Sequence, residues 1–80
     1  MTTSISNWIK VESSAIDAVA YCTAERSLEI MFRSGAVYAY LDVPREVFVL
    51  LLEAQSQGAF FNRQIRPTYR YEAVAARSPR

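Results

Sequence analysis

Histidine is absent from this sequence, and cysteine occurs only once, as Cys22. Without an imidazole the chain cannot form a Ser-His-Asp or Cys-His nucleophile, a histidine acid or base, or a histidine-ligated metal site. A single thiol cannot form an intrachain disulfide or the paired thiolates of a zinc knuckle. Because the common catalytic sites are excluded, we expect a protein that binds without catalysing and needs no cofactor or metal.

Long apolar segments are lacking as well. The longest dense apolar run covers residues 47–52, far short of the ~20 residues that span a bilayer. Residues 1–7 are polar and do not have the charged and then apolar pattern of a signal sequence. We therefore expect a cytoplasmic protein with no membrane contact, in a compartment where a single thiol stays reduced.

The net charge of +1 is unevenly distributed along the chain. Residues 1–59 carry four basic and seven acidic side chains, a net charge of −3, whereas residues 60–80 carry five arginines and one glutamate, a net charge of +4. Arginine suits bidentate phosphate contacts and stacking on base rings. The carboxy-terminal part therefore favours a phosphate-bearing partner, although the same arginines are also compatible with a solvated helix surface and tail.

The remaining composition is that of one small folded domain. Hydrophobic residues make up 51% of the chain, and 80 residues is the length of a single domain with a modest core. We expect a loose amino-terminal segment over residues 1–10, in which a short strand can form near residues 8–11. The domain itself is expected over residues 11–74, and residues 75–80 are expected to be a flexible tail.

Alternating apolar and polar residues predict an antiparallel β-meander with strands over residues 16–22, 27–33 and 36–42. Closing the first hairpin over residues 23–26 places Tyr21 opposite Leu28. A two-residue turn at Ser34-Gly35 then closes the second hairpin. This register leaves Tyr38 and Tyr40 on the face opposite the core, and it pairs Phe32 with Val37, Ile30 with Ala39 and Leu28 with Leu41.

Two helices and a last extended segment are predicted after the meander. Pro44 suits the first turn of a helix over about residues 45–55, and its buried side should contain Val47, Phe48, Leu50, Leu51 and Leu52. Ser56 is a candidate cap for a short second helix over residues 59–65, which presents Phe60 and Phe61. Residues 68–74 are expected to form a strand or an arm. The predicted fold class is therefore α+β: a small single domain in which the main helix packs on the apolar face of the meander.

These landmarks resemble the KTSC domain family, a short domain found alone in bacteria and at the carboxyl terminus of some lysyl-tRNA synthetases. The resemblance extends from about residue 11 to residue 71, and its central mark is the Tyr-x-Tyr of Tyr38 and Tyr40. It is carried by residues 13–16 (SSAI), 19–21 (VAY), 28–32 (LEIMF), 37–40 (VYAY), 56–58 (SQG), 60–62 (FFN) and 69–71 (YRY). The resemblance implies no catalytic residue, and attachment to the synthetases suggests RNA binding.

Tyr38 and Tyr40 are the first candidate binding residues. They are two positions apart on a strand, so their rings point to the same side about 7 Å apart, at ~3.3 Å rise per residue. Aromatic rings on an open sheet face can stack bases of single-stranded RNA. The alternative is that the two rings are covered by the carboxy-terminal segment or by a second subunit.

Asn62, Arg63, Arg66 and Arg70 are the second group of candidates. Arg63 and Arg66 are three positions apart on the predicted second helix, and Arg70 follows soon after it. All three could face one groove and hold phosphates, with Asn62 as a neutral hydrogen-bonding partner. The alternative is a solvated helix surface on which Asn62 braces the backbone.

The sequence thus supports two hypotheses about function. The first is a non-enzymatic module that binds RNA or another single-stranded nucleic acid through the two tyrosines and the three arginines. The second is a protein-interaction or self-association module. In this module the sheet face that carries Tyr38 and Tyr40, together with Phe60 and Phe61, contacts a partner or a second copy of the chain.

Overall fold

The computed structural model describes residues 8–74, and it has the α+β fold expected from the sequence. Five antiparallel strands follow one another across a single sheet in chain order: β1 (Ile9–Lys10), β2 (Ile16–Cys22), β3 (Ser27–Phe32), β4 (Val37–Tyr40) and β5 (Tyr71–Val74). Helix α1 (Arg45–Glu53), helix α2 (Gln57–Phe60) and a π-helical turn (Phe61–Ile65) lie between β4 and β5. The predicted meander is therefore extended by one strand at each edge. The tail predicted over residues 75–80 and residues 1–7 of the predicted loose start lie outside the described residues.

The first hairpin has the predicted register. Tyr21 pairs with Leu28 and Val19 pairs with Ile30. A bulge at Asp17 shifts the pairing between β2 and β3. The extra residue allows both Ile16 and Val19 to point into the core, and neither is exposed to solvent.

The second hairpin has a different register from the predicted one. The Phe32 N–H donates to the Ala36 carbonyl oxygen, and the Gly35 N–H donates to the Phe32 carbonyl oxygen, each at 2.9 Å. The loop therefore contains three residues, 33–35, and not the two predicted. Gly35 has φ +100°, which gives this three-residue loop its positive-φ position.

This extra loop residue moves the two tyrosines to the core side of the sheet. Tyr38 pairs with Ile30, and Tyr40 pairs with Leu28. Directly paired residues point to the same face of a sheet, and a shift of one residue reverses every side chain of the strand. The prediction that Tyr38 and Tyr40 lie opposite the core was therefore wrong.

Helix α1 covers one part of the apolar face, as predicted, although it ends at Glu53 and not at residue 55. Phe48 stacks on Tyr21 with ring centroids 5.2 Å apart, and Leu51 is fully buried. The Tyr21 hydroxyl donates to the Val43 carbonyl oxygen at 2.6 Å, which anchors the loop before the helix to β2. Leu50, expected on the buried side, is 52% exposed.

Helix α2 and the π-helical turn cover the other part of the same face. Ser56 caps α2, because its Oγ accepts a hydrogen bond from the Ala59 N–H at 3.2 Å. The π-helical turn closes where the Arg66 N–H donates to the Phe61 carbonyl oxygen, and it buries Phe61 and Ile65. Across residues 8–74 no helix is long and apolar enough to cross a membrane.

Candidate functional site

A cavity of about 610 Å³ lies between the sheet and the second helical segment. Its walls come from the loop before β2, the β3–β4 hairpin, strands β4 and β5, and the segment from α2 to Arg66. This volume is within the range of about 300–1,000 Å³ that is usual for small-molecule sites. Beside the cavity, Val37, Tyr38 and Ala39 of β4 are only half-buried, whereas Tyr40 at the end of the strand is buried.

Buried aromatic rings form the floor of the cavity. Tyr40 is 3% exposed and Phe61 is 4% exposed. Their ring centroids are 5.3 Å apart at an interplanar angle of 81°, and Phe61 makes a similar edge contact with Phe32 at 5.4 Å. Such edge-to-face pairs are favourable between aromatic rings. Tyr40 is thus a packing residue whose ring closes the cavity, and it is not part of an open platform.

Tyr38 and Tyr71 form an aromatic corner at the rim of the cavity. Their ring centroids are 5.3 Å apart, and their planes meet at 81°. Tyr38 is half-buried, whereas Tyr71 is 57% exposed. Tyr71 also lies against Tyr40, with centroids 5.4 Å apart. These are the two tyrosine rings that the fold leaves accessible to a ligand in the cavity.

Arg66 and Asn62 supply the polar side formed by the helical segment. The Arg66 Nη1 donates to the Asn62 Oδ1 at 3.4 Å, so the amide holds the guanidinium beside the cavity. Burial raises the pKa of Tyr40, and Tyr71 and Tyr38 act in the same direction, whereas the positive charge of Arg66 lowers it. This opposing effect places the guanidinium within electrostatic reach of the Tyr40 hydroxyl.

Arg33 supplies a second positive charge at the hairpin end of the cavity. Its Nε donates to the Ser13 carbonyl oxygen at 2.7 Å. The Ser13 Oγ in turn accepts from the N–H groups of Ala15 and Ile16, at 3.1 and 3.2 Å, which holds this loop in place. Sequence reasoning missed Arg33, because its position next to the turn carried no sign that it would meet a segment thirty residues further along.

Among residues 8–74, those that line the cavity include two arginines and no aspartate or glutamate. A site with this charge favours an anionic ligand over a cation, even though its walls are aromatic. Within residues 8–74 no group of acidic or cysteine side chains is arranged to hold a metal ion.

The structure brings together four of the six residues singled out in the sequence, namely Tyr38, Tyr40, Asn62 and Arg66. The other two do not line the cavity. Arg63 is exposed, and Arg70 is exposed while its carbonyl oxygen accepts from the Leu41 N–H at 2.9 Å. Tyr71 joins the site without having been singled out, because it pairs with Tyr40 across β4 and β5.

Comparison with known proteins gives concordant results. The model of the KTSC domain matches residues 12–76. A protein of Tsukamurella paurometabola is 48% identical over 64 residues, which cover 80% of this chain and 96% of that protein. A lysine–tRNA ligase of Nostoc sp. is 34% identical over 67 residues, which cover 84% of this chain but only 12% of the ligase. The crystal structure of a KTSC domain protein from Yersinia pestis superposes with a TM-score of 0.83 and 31% identity, covering 88% of this chain and 99% of that one.

Proposed function

Because the chain belongs to the KTSC domain family, which occurs both as a small protein and as a part of lysine–tRNA ligases, we propose that it is a non-enzymatic module that binds RNA or another single-stranded nucleic acid. The proposed binding site is the cavity beside β4. The occurrence of the KTSC domain within lysine–tRNA ligases supports a nucleic acid over other anionic ligands.

The observation that supports the proposal is the convergence of accessible tyrosine rings and arginines on one cavity, which no carboxylate of residues 8–74 lines. Bases stack on aromatic side chains, and each stacked base contributes about 1–3 kcal/mol. Arginine donates to phosphate oxygens with favourable geometry. One cavity therefore offers both kinds of contact that a nucleotide needs.

In the proposed complex a base packs into the corner formed by Tyr38 and Tyr71. The Arg66 guanidinium, braced by Asn62, donates to a phosphate on the side of the helical segment. Arg33 adds a positive charge at the hairpin end. The described residues that line the cavity include no histidine, lysine or carboxylate that could act as a general base near neutral pH, so the expected outcome of binding is retention and not chemistry.

Binding of fluorescent single-stranded RNA oligonucleotides at low salt tests the proposal, because electrostatic contacts are strongest there. Arg66→Gln should weaken binding about tenfold or more, as expected for the loss of a hydrogen bond to a charged group. Arg63→Gln is the matched control, since it removes the same charge from an exposed position three residues away that does not line the cavity. It should change affinity by less than about threefold. Absence of binding at low salt, or equal losses in the two variants, would refute the proposal.

The exposed edge of the sheet favours a second candidate function, self-association. All four residues of β5 are exposed, including Val74 at 37%. Edge strands carry unpaired backbone groups that can pair with another chain. If β5 pairs with a second copy, sedimentation velocity will show a concentration-dependent dimer that Val74→Lys dissociates without affecting the cavity. A monomer at every concentration excludes this candidate.

A further inference from the structure

We infer that the cavity holds a single nucleotide unit, one base with its own phosphate, and not a run of successively stacked bases. This inference rests on the function proposed above and narrows its ligand. It replaces the stacking of bases on Tyr38 and Tyr40 together, which the spacing of these residues suggested from the sequence.

The orientation of the Tyr38 and Tyr71 rings is the first reason to expect a single base. Successive stacked bases lie roughly parallel, so a platform for two of them needs two accessible rings in similar orientation. Tyr38 and Tyr71 are instead close to perpendicular, at 81°, with centroids 5.3 Å apart. A base that stacks on one of these rings meets the edge of the other. The corner therefore accepts one base by a face contact and an edge contact, and it offers no second parallel surface.

The burial of Tyr40 and Phe61 is the second reason to expect a single base. Tyr40, which would provide the second surface along β4, is 3% exposed, and Phe61 and Tyr71 cover its ring. Phe61 is itself 4% exposed. A second base could reach these rings only if the core opened. The closed floor therefore offers no second ring surface for another base along β4.

The positive charges of the two lining arginines are the third reason, because they limit how many phosphates the site can hold. Arg33 lies beside the hairpin at the start of β4, and Arg66 lies near Tyr40 at the end of that strand. One arginine is thus present on each side of Tyr38. This arrangement provides for one or two phosphates, those that flank a single base, and no further lining residue among residues 8–74 is cationic.

A length series tests the inference. Chemical-shift titrations of the whole chain are made with uridine, uridine 5′-monophosphate, and oligouridylates of two, four and eight nucleotides. The monophosphate should bind and should bind at least about tenfold more tightly than the nucleoside, because it adds a charged hydrogen-bond partner. Because only one nucleotide occupies the site at a time, affinity for an oligonucleotide should rise at most in proportion to its number of nucleotides. For the oligonucleotides, log affinity should fall against log salt with a slope between about −0.7 and −1.4, which corresponds to one or two phosphates.

Variants at the aromatic corner complete the test. Tyr38→Phe keeps the ring and should retain monophosphate binding within about threefold, whereas Tyr38→Leu and Tyr71→Leu should each weaken it by about fivefold or more, since each removes a stacking ring. Tyr71 is 57% exposed on the edge strand, and its replacement by leucine removes the ring while it keeps an apolar side chain against Tyr40.

The outcomes separate this inference from the proposed function. Binding of the eight-nucleotide RNA with a salt slope steeper than about −2, combined with no binding of the monophosphate, overturns the single-nucleotide site and leaves RNA binding in place. Failure of every ligand to bind at low salt overturns both.

Discussion

Replacing Tyr40 with alanine tests the strand register on which the site depends. In the structure Tyr40 is 3% exposed and packs against Phe61 and Tyr71. The matched substitution is Leu41→Ala at the next position, where the side chain is only half-buried. The backbone hydrogen bond from the Leu41 N–H to the Arg70 carbonyl oxygen survives this change.

The two substitutions should lower the free energy of unfolding by very different amounts. Removal of a buried aromatic ring costs about 3–5 kcal/mol, because it loses both transfer free energy and packing. At about 0.05–0.15 kcal/mol per residue, a chain of 80 residues has a free energy of unfolding of roughly 4–12 kcal/mol. Tyr40→Ala should therefore lower Tm by at least about 12 °C or unfold the domain, at about 4–8 °C per kcal/mol. Leu41→Ala should cost about 1 kcal/mol, the typical effect of a point substitution.

Thermal and urea unfolding followed by circular dichroism measure both variants against the unmodified protein. In the register with a two-residue turn, Leu41 faces the core and Tyr40 faces away from it, so the order of the two costs is reversed. A loss for Leu41→Ala equal to or larger than that for Tyr40→Ala would falsify the three-residue loop and the cavity built on it.

Four further predictions concern the loop, the helix cap and the behaviour of Tyr40 at alkaline pH. Gly35→Ala should destabilise the domain by about 1–2 kcal/mol, because φ is +100° there, and an unchanged Tm would contradict that loop geometry. Ser56→Ala should cost about 1 kcal/mol in urea unfolding through loss of the cap on the Ala59 N–H, whereas a Ser56→Asp variant should retain most of the stability. Because the pKa of Tyr40 is raised above its usual 10.0, the contribution of its neutral hydroxyl to stability is complete below pH 10 and is lost as the pH rises through the folded-state pKa. Tyr40→Phe should therefore lose less stability than the unmodified protein between pH 9 and 12, and the same loss in both proteins would show that Tyr40 does not titrate with folding. Arg66→Gln should raise the pKa of Tyr40 further, which an ultraviolet titration of the tyrosines measures.

Much of the fold was predictable because local rules and tertiary packing agree. The alternation that defines β2 and β3 has the period of a strand, and their hairpin register matches the apolar pattern. Helix α1 begins after Pro44, as expected from the fixed φ of proline. The cap at Ser56 was also correctly predicted from a short polar side chain preceding a helix, although the helix begins at Gln57 and not at residue 59.

The second hairpin shows why the site was only partly predictable. The apolar residues Val37, Ala39 and Leu41 alternate with Tyr38 and Tyr40, so either set could face the core by hydrophobicity alone. The two-residue turn favoured the first set, whereas the fold buries the larger aromatic rings against Phe61. Only the contact with the distant helical segment discriminates between these registers.

The residues that line the cavity were only partly predictable for the same reason. Asn62 and Arg66 are four positions apart in one helical segment, so their proximity follows from local geometry. Arg33 and Tyr71 come from two other segments, and they reach the cavity only because the meander places β5 beside β4 and the hairpin beside the helix. Arg63, close to Arg66 in the chain, does not line the cavity.

The sequence by itself determined that this domain has no histidine chemistry, that its core is aliphatic and aromatic, and that its elements form a β-meander with two helical segments. Composition and short-range periodicity are sufficient for these statements, because each depends on residues that are close together in the chain. The tertiary structure decided which face the tyrosines occupy and which arginines meet them. Those outcomes depend on how the loop over residues 33–35 sets the register and on how the helical segment packs across β4, which no local pattern specifies.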